Sequence, residues 1–133
     1  MAETGRPATL LRSTWTHVVF AFIAMGAWAA FANSGHGSRA MALAFVVQGA
    51  LSGIITAVMK RWLEHAQGKL FAALPALPRL LTGPAISAAV IGTLLFVAHT
   101  LAGTPEVIRT IAVPWSVSTL YAFVYTATLE RRG

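Results

Sequence analysis

The sequence predicts an all-α membrane protein with four transmembrane helices, threaded as two hairpins with both termini cytoplasmic. Three observations lead there. Hydrophobic residues make up 56% of the 133-residue chain and charged residues only 11%, against about 45–50% and about 25% in an ordinary soluble domain. Too little polar surface remains to wrap a small globule in water, and the same figures exclude intrinsic disorder. Four stretches, 15–34, 40–59, 84–103 and 110–129, contain no Asp, Glu, Lys or Arg. As a helix each would span about 30 Å, the thickness of a hydrocarbon core. The alternating pattern of a barrel strand is missing. Finally, the basic residues fall almost entirely between these stretches, which form a single domain over 1–133.

The first span follows Arg6 and Arg12. That basic pair, with Ala30-Phe31-Ala32 further on, has the outline of a secretory signal. The apolar run from Val18 to Ala32 is at the upper limit for such a segment, and a retained helix is the expectation.

In the second span Gly49, Gly53 and Ala57 recur every fourth residue beside Gln48, Ser52 and Thr56. Small residues at that spacing let two helix backbones approach closely, and the polar neighbours can bond across the contact. A partner helix within this chain is the simpler reading, and a second copy is the alternative.

The segment 60–83 is predicted as a cytoplasmic loop. Trp62, Leu63, Ala66, Leu70, Phe71 and Leu74 recur at helical spacing opposite Lys60, Arg61, Glu64, His65, Gln67 and Lys69. The pattern suits either a short amphipathic helix in the headgroup region or an extension of the second span.

The fourth span carries Ser118, Tyr121, Tyr125 and Thr128 within about 80° of one another on a helix. With Gln48 they are the candidate lining of a substrate cavity, since tyrosine offers an apolar ring with a hydroxyl tip. The bland alternative has Tyr125 and Thr128 anchoring at the interface and Ser118 bonding its own backbone. A shift of 70 residues superimposes Arg39 on Arg109, Val47 on Val117, Thr56 on Thr126 and Arg61 on Arg131, a weak sign of a parallel repeat.

Ten Lys and Arg against four acidic residues give a net charge of +6. Arg6, Arg12, Lys60, Arg61, Lys69, Arg79, Arg131 and Arg132 fall on one side, and only Arg39 and Arg109 on the other. The positive-inside rule then places both termini and the 60–83 segment in the cytoplasm of a bacterial inner membrane. Lys60, Arg61, Lys69 and Arg79 are expected to contact anionic headgroups. Read this way the basic excess is a topology signal, and no nucleic-acid partner is expected.

Chemistry is scarce. The absence of cysteine removes thiol nucleophiles, iron–sulfur clusters and Cys-ligated zinc. There is no Asp, and no span carries a carboxylate, so a membrane-buried proton relay lacks its usual acid. No phosphate-binding loop, HExxH or GxSxG occurs. His17 and His99 belong to opposite depths, while His36, His99 and Glu106 are the nearest approach to a ligand set. No metal, cofactor or enzymatic activity is expected. The chain departs from small four-helix multidrug exporters, whose first-helix glutamate it lacks. It departs also from small fluoride channels, whose Gly-rich, Arg-containing segment is missing.

The expected role is therefore a non-enzymatic accessory or assembly subunit acting through helix packing. Its expected partners are membrane lipids and either further copies of itself or a larger membrane complex. The alternative is a small transporter or channel for a neutral or lipophilic solute, or for lipid, lined by the fourth helix.

Overall fold

The computed structural model describes the backbone from residue 6 and the side chains from residue 14. The side chains of Arg6 and Arg12 thus lie outside the described residues. Helix α1 (Arg6–Ala32) leads through a 3-10 turn, Ser34–His36, into α2 (Ser38–His65), which widens into a π-helical turn, Ala66–Leu70. Helices α3 (Ala76–Leu101) and α4 (Val107–Arg132) complete an all-helical chain, with no strand among the described residues. Four helices are long and apolar enough to cross a membrane, which makes the chain a multi-pass membrane protein by length and composition.

The helices outrun the apolar stretches. Helix α2 continues past Met59 to His65, because Leu63 and then Ala66 find burial against the bundle while Arg61, Glu64 and His65 stay exposed. Helix α3 begins at Ala76, ahead of Pro84. Pro78 sits in its first turn, where a missing N–H costs little, and Pro84 lies buried inside the helix. Only residues 71–75 remain as an irregular connection.

Helix α1 packs most extensively on α2, and α3 on α4. The α1–α2 contact is built from one device used twice. Phe22 and Gly26 on α1 face Gly49 and Phe45 on α2, so each phenylalanine lies over the other helix's glycine. The two rings meet edge to face, with centroids 5.9 Å apart, a favoured geometry for aromatic pairs. An added Cβ on Gly49 would lie 2.9 Å from the Phe22 ring, and one on Gly26 would lie 3.0 Å from the Phe45 carbonyl oxygen.

Between α3 and α4 a third glycine makes room for an indole. Trp115 lies over Gly92, where a Cβ would approach Nε1 to 2.8 Å. From there Trp115 Nε1 donates to the Ala88 carbonyl oxygen at 2.8 Å. Met59, Leu63, Ile91, Leu95 and Ala122 form the apolar core where α2, α3 and α4 converge.

The outer surface is apolar over most of its height. Phe20, Ile23, Val46, Ile54, Val90, Leu101, Leu120 and Val124 are among many large hydrophobic side chains left exposed. A monomeric soluble protein rarely shows apolar patches beyond a few hundred Å², so this surface suits hydrocarbon.

Candidate functional site

The bundle interior holds a chain of polar side chains, and it is the most distinctive chemical feature of the structure. Asn33, Gln48, His99 and Thr110 are fully buried, and Ser52, Ser87 and Thr104 nearly so. Burying an amide or hydroxyl without a partner costs about 1–3 kcal/mol, which makes the pairing of each group the informative observation.

Gln48 of α2 sits at the centre. Its amide nitrogen donates to Ser52 Oγ at 2.8 Å, one turn along the same helix. Its side-chain oxygen, 2.8 Å from His99 Nε2, then accepts from the imidazole of α3. In that arrangement Nε2 carries the proton. His99 Nδ1 lies 2.8 Å from Thr104 Oγ1, whose hydroxyl can donate to a neutral ring or accept from a charged one.

Local structure delivers Thr104 to this position. Gly103 adopts φ +74° just past the end of α3, the left-handed conformation that glycine takes at helix ends. The chain reverses there, Gly103 N–H bonding the Thr100 carbonyl and Thr104 N–H the His99 carbonyl. The Thr104 hydroxyl is thereby folded back over the imidazole.

A second cluster joins α1 to α4 at the same end of the bundle. Asn33 Nδ2 donates to Thr110 Oγ1 at 2.7 Å and to the Ala29 carbonyl at 2.8 Å. Its oxygen accepts from the backbone N–H of Glu106 at 3.0 Å. His36 Nε2 lies 3.1 Å from Glu106 Oε1, and Trp28 Nε1 donates to the Arg109 carbonyl. His36 and Glu106 are brought together, whereas His99 turns inward to Gln48. No group of three or more His, Cys, Asp or Glu is placed to hold a metal ion among the described residues. Only the Thr119 and Thr126 hydroxyls are buried without a hydrogen-bond partner among the described residues.

At the opposite, basic end, α2, its π turn, α3 and α4 are tied by side chains. Trp62 Nε1 donates to Ser87 Oγ at 2.7 Å. The Tyr125 hydroxyl donates to Glu64 Oε1 at 2.6 Å. Glu130 accepts from Gln67 and, through both its oxygens, from the Arg79 guanidinium, which also donates to the Ala72 carbonyl.

Glu130 and Arg79 lie beyond the apolar stretches 84–103 and 110–129. The hydrogen bonds from Arg79 hold the Glu130 carboxyl below the usual carboxylate range, against the opposing effect of burial, and Gln67 adds to the lowering. Stability supplied this way is complete above the ordinary carboxylate pKa of about 4.3 and fades as pH falls through the lower native value. Acid titration of the protein in detergent should therefore loosen the basic end. Glu130→Gln should remove that acid-dependent step, and an unchanged acid limb in the variant would refute the assignment.

The residues singled out from the sequence fall into distinct settings. Tyr121 and Tyr125 stack face to face, with centroids 5.5 Å apart. Ser118 and Thr128 bond carbonyls of their own helix, Trp115 and Val124 respectively. Gln48 belongs instead to the interior chain with His99. Gly49 and Gly53 face α1 at Phe22 and Val18, while Ala57 is exposed. Lys60, Arg61 and Lys69 are exposed, whereas Arg79 is engaged by Glu130.

Sequence reasoning missed Asn33, the Trp62–Ser87 bond and the seat of Trp115 on Gly92. It also missed that Phe-x-x-x-Gly occurs at both 22–26 and 45–49, a spacing open to inspection that pairs the first two helices.

Two of the surface recesses formed by the described residues bear on a binding site. One of about 370 Å³ lies at the basic end among Gln67, Arg79 and Glu130. The other, about 320 Å³, is an apolar groove between α2 and α3. Tyr121 and Tyr125 line neither. No protein-family model matches the chain, and the comparisons with curated proteins and with solved structures give no match either.

Proposed function

We propose that the protein is a non-enzymatic accessory or assembly subunit of a bacterial-type inner membrane, threaded as two hairpins with both termini cytoplasmic. The observation that supports this reading is the closed state of the interior. Asn33, Gln48, Ser87, His99 and Thr110 direct their polar groups at one another or at backbone. A solute path needs hydroxyls open to water or substrate. Here the Tyr125 hydroxyl is committed to Glu64, and Ser118 and Thr128 are turned onto their own helix. What the bundle offers a partner is its outer surface: exposed apolar ridges, the small residue Ala57 among them, and a basic rim.

The test is extraction from native membranes in mild detergent, with flux measured on the same protein in vesicles. The chain is expected in a species larger than one copy, and Tyr121→Phe/Tyr125→Phe should leave that species intact. Single-copy behaviour, together with solute flux that the double variant loses, would overturn the reading in favour of transport along α4. Reporter fusions check the threading. Those after Gly133 and at Gln67 should read as cytoplasmic and one at Gly37 as external, and an external C-terminus would refute it.

A further inference from the structure

We propose that the groove between α2 and α3 is a binding site for one acyl chain of an anionic phospholipid of the cytoplasmic leaflet, with Arg61 holding the headgroup phosphate. The proposal rests on the same membrane threading, but not on the accessory role.

Its walls are Ile54, Val58 and Trp62 of α2 and Ile86, Val90 and Leu94 of α3. Apart from Trp62 these side chains are exposed, and the polar groups at the mouth, Trp62 Nε1 and Ser87 Oγ, are already bonded to each other. A ligand inside therefore meets hydrocarbon only.

Dimensions match a single leaflet. From Ile54 to Trp62 the groove follows α2 for about 12 Å at 1.5 Å per residue, close to half of a hydrocarbon core of about 30 Å. Its α2 wall reaches Trp62 at the basic end, and its α3 wall runs to Leu94, near the middle of the apolar stretch 84–103.

Charge complements this shape. Arg61 stands seven residues from Ile54, and His65 seven from Val58, so both continue the groove-lining face of α2 into the headgroup region. Both are exposed. Lys60 falls about 120° away from Ile54 around the helix. Arg79, in register with Ile86 on α3, is neutralised by Glu130. The geometry thus favours Arg61 over Lys60 and Arg79. A guanidinium is also the side chain best matched to a phosphate through paired donors.

Native mass spectrometry of the full chain, in micelles doped with phosphatidylglycerol or phosphatidylcholine, tests the site. The protein should retain phosphatidylglycerol preferentially. Arg61→Gln should lower that retention about fivefold, the equivalent of about 1 kcal/mol for one basic residue at a lipid surface. Lys69→Gln should leave it unchanged. Val90→Trp fills the groove from an exposed position and should abolish retention without lowering the melting temperature. Equal losses in Arg61→Gln and Lys69→Gln would reduce the effect to a general basic rim and overturn the site. So would full retention in Val90→Trp, or a dimer that this substitution dissociates, since a second copy would then occupy the groove.

Discussion

Gly49→Ala should destabilise the protein in detergent by about 1–3 kcal/mol, the usual cost of forcing extra volume into a packed contact, whereas Gly53→Ala should not destabilise it, since alanine is the better helix former by about 1 kcal/mol. The added methyl at Gly49 would lie 2.9 Å from the Phe22 ring and 3.0 Å from the Phe22 carbonyl oxygen. The ring has little freedom to withdraw, because Phe45 holds it edge to face, and the carbonyl moves only if α1 moves. At Gly53 the nearest atom is Val18 Cγ1 at 3.4 Å, an ordinary van der Waals contact. Gly26→Ala should resemble Gly49→Ala, since the Phe45 carbonyl oxygen stands 3.0 Å from its methyl position. Combining the two should cost less than their sum, because one separation of α1 from α2 relieves both clashes. Thermal unfolding of the three single variants and the double variant measures this. Equal stabilities of Gly49→Ala and Gly53→Ala would refute the reciprocal clasp.

Removing either partner at the centre of the interior chain should be nearly as damaging. Gln48→Leu leaves the His99 Nε2 donor and the Ser52 hydroxyl unpaired where both are buried. The expected loss is about 1–3 kcal/mol, the cost of orphaning a buried polar group. His99→Leu orphans the Gln48 oxygen and the Thr104 hydroxyl and should cost a similar amount. The double variant Gln48→Leu/His99→Leu removes donor and acceptor together. It should be little worse than the harsher single change, giving a coupling near the upper end measured between membrane helices, about 1.7 kcal/mol. Strict additivity of the two losses would show that the 2.8 Å contact contributes nothing to stability.

These two results bear on different levels of the reading. Fold class was legible because it rests on amounts and lengths. An apolar share of 56% and four uncharged stretches leave the backbone no solution but internally bonded helices. The Gly49/Gly53 signal was legible for the same local reason, since its four-residue period belongs to one helix. The helix limits at 60–83 were legible only as alternatives, because the helical spacing of Trp62, Leu63 and Ala66 suits a separate amphipathic helix as well as an extension of the second span, and burial of Leu63 and Ala66 carries α2 onward.

The sequence by itself determined that the chain is built of four membrane-length helices, where its basic residues lie, and that Cys and Asp chemistry is absent. Composition and periodicity need no tertiary information. Only the tertiary structure decided which polar residues meet. His99 finds Gln48 across two helices, Asn33 finds Thr110 and Arg79 finds Glu130, over sequence separations of 51, 77 and 51 residues. The physical reason is that a hydrogen bond depends on rotation and depth of both helices to within a few tenths of an ångström, and one-dimensional spacing on either helix leaves both unspecified. The same holds for the apolar groove, whose walls come from both α2 and α3, a relation between two surfaces that neither helix encodes alone.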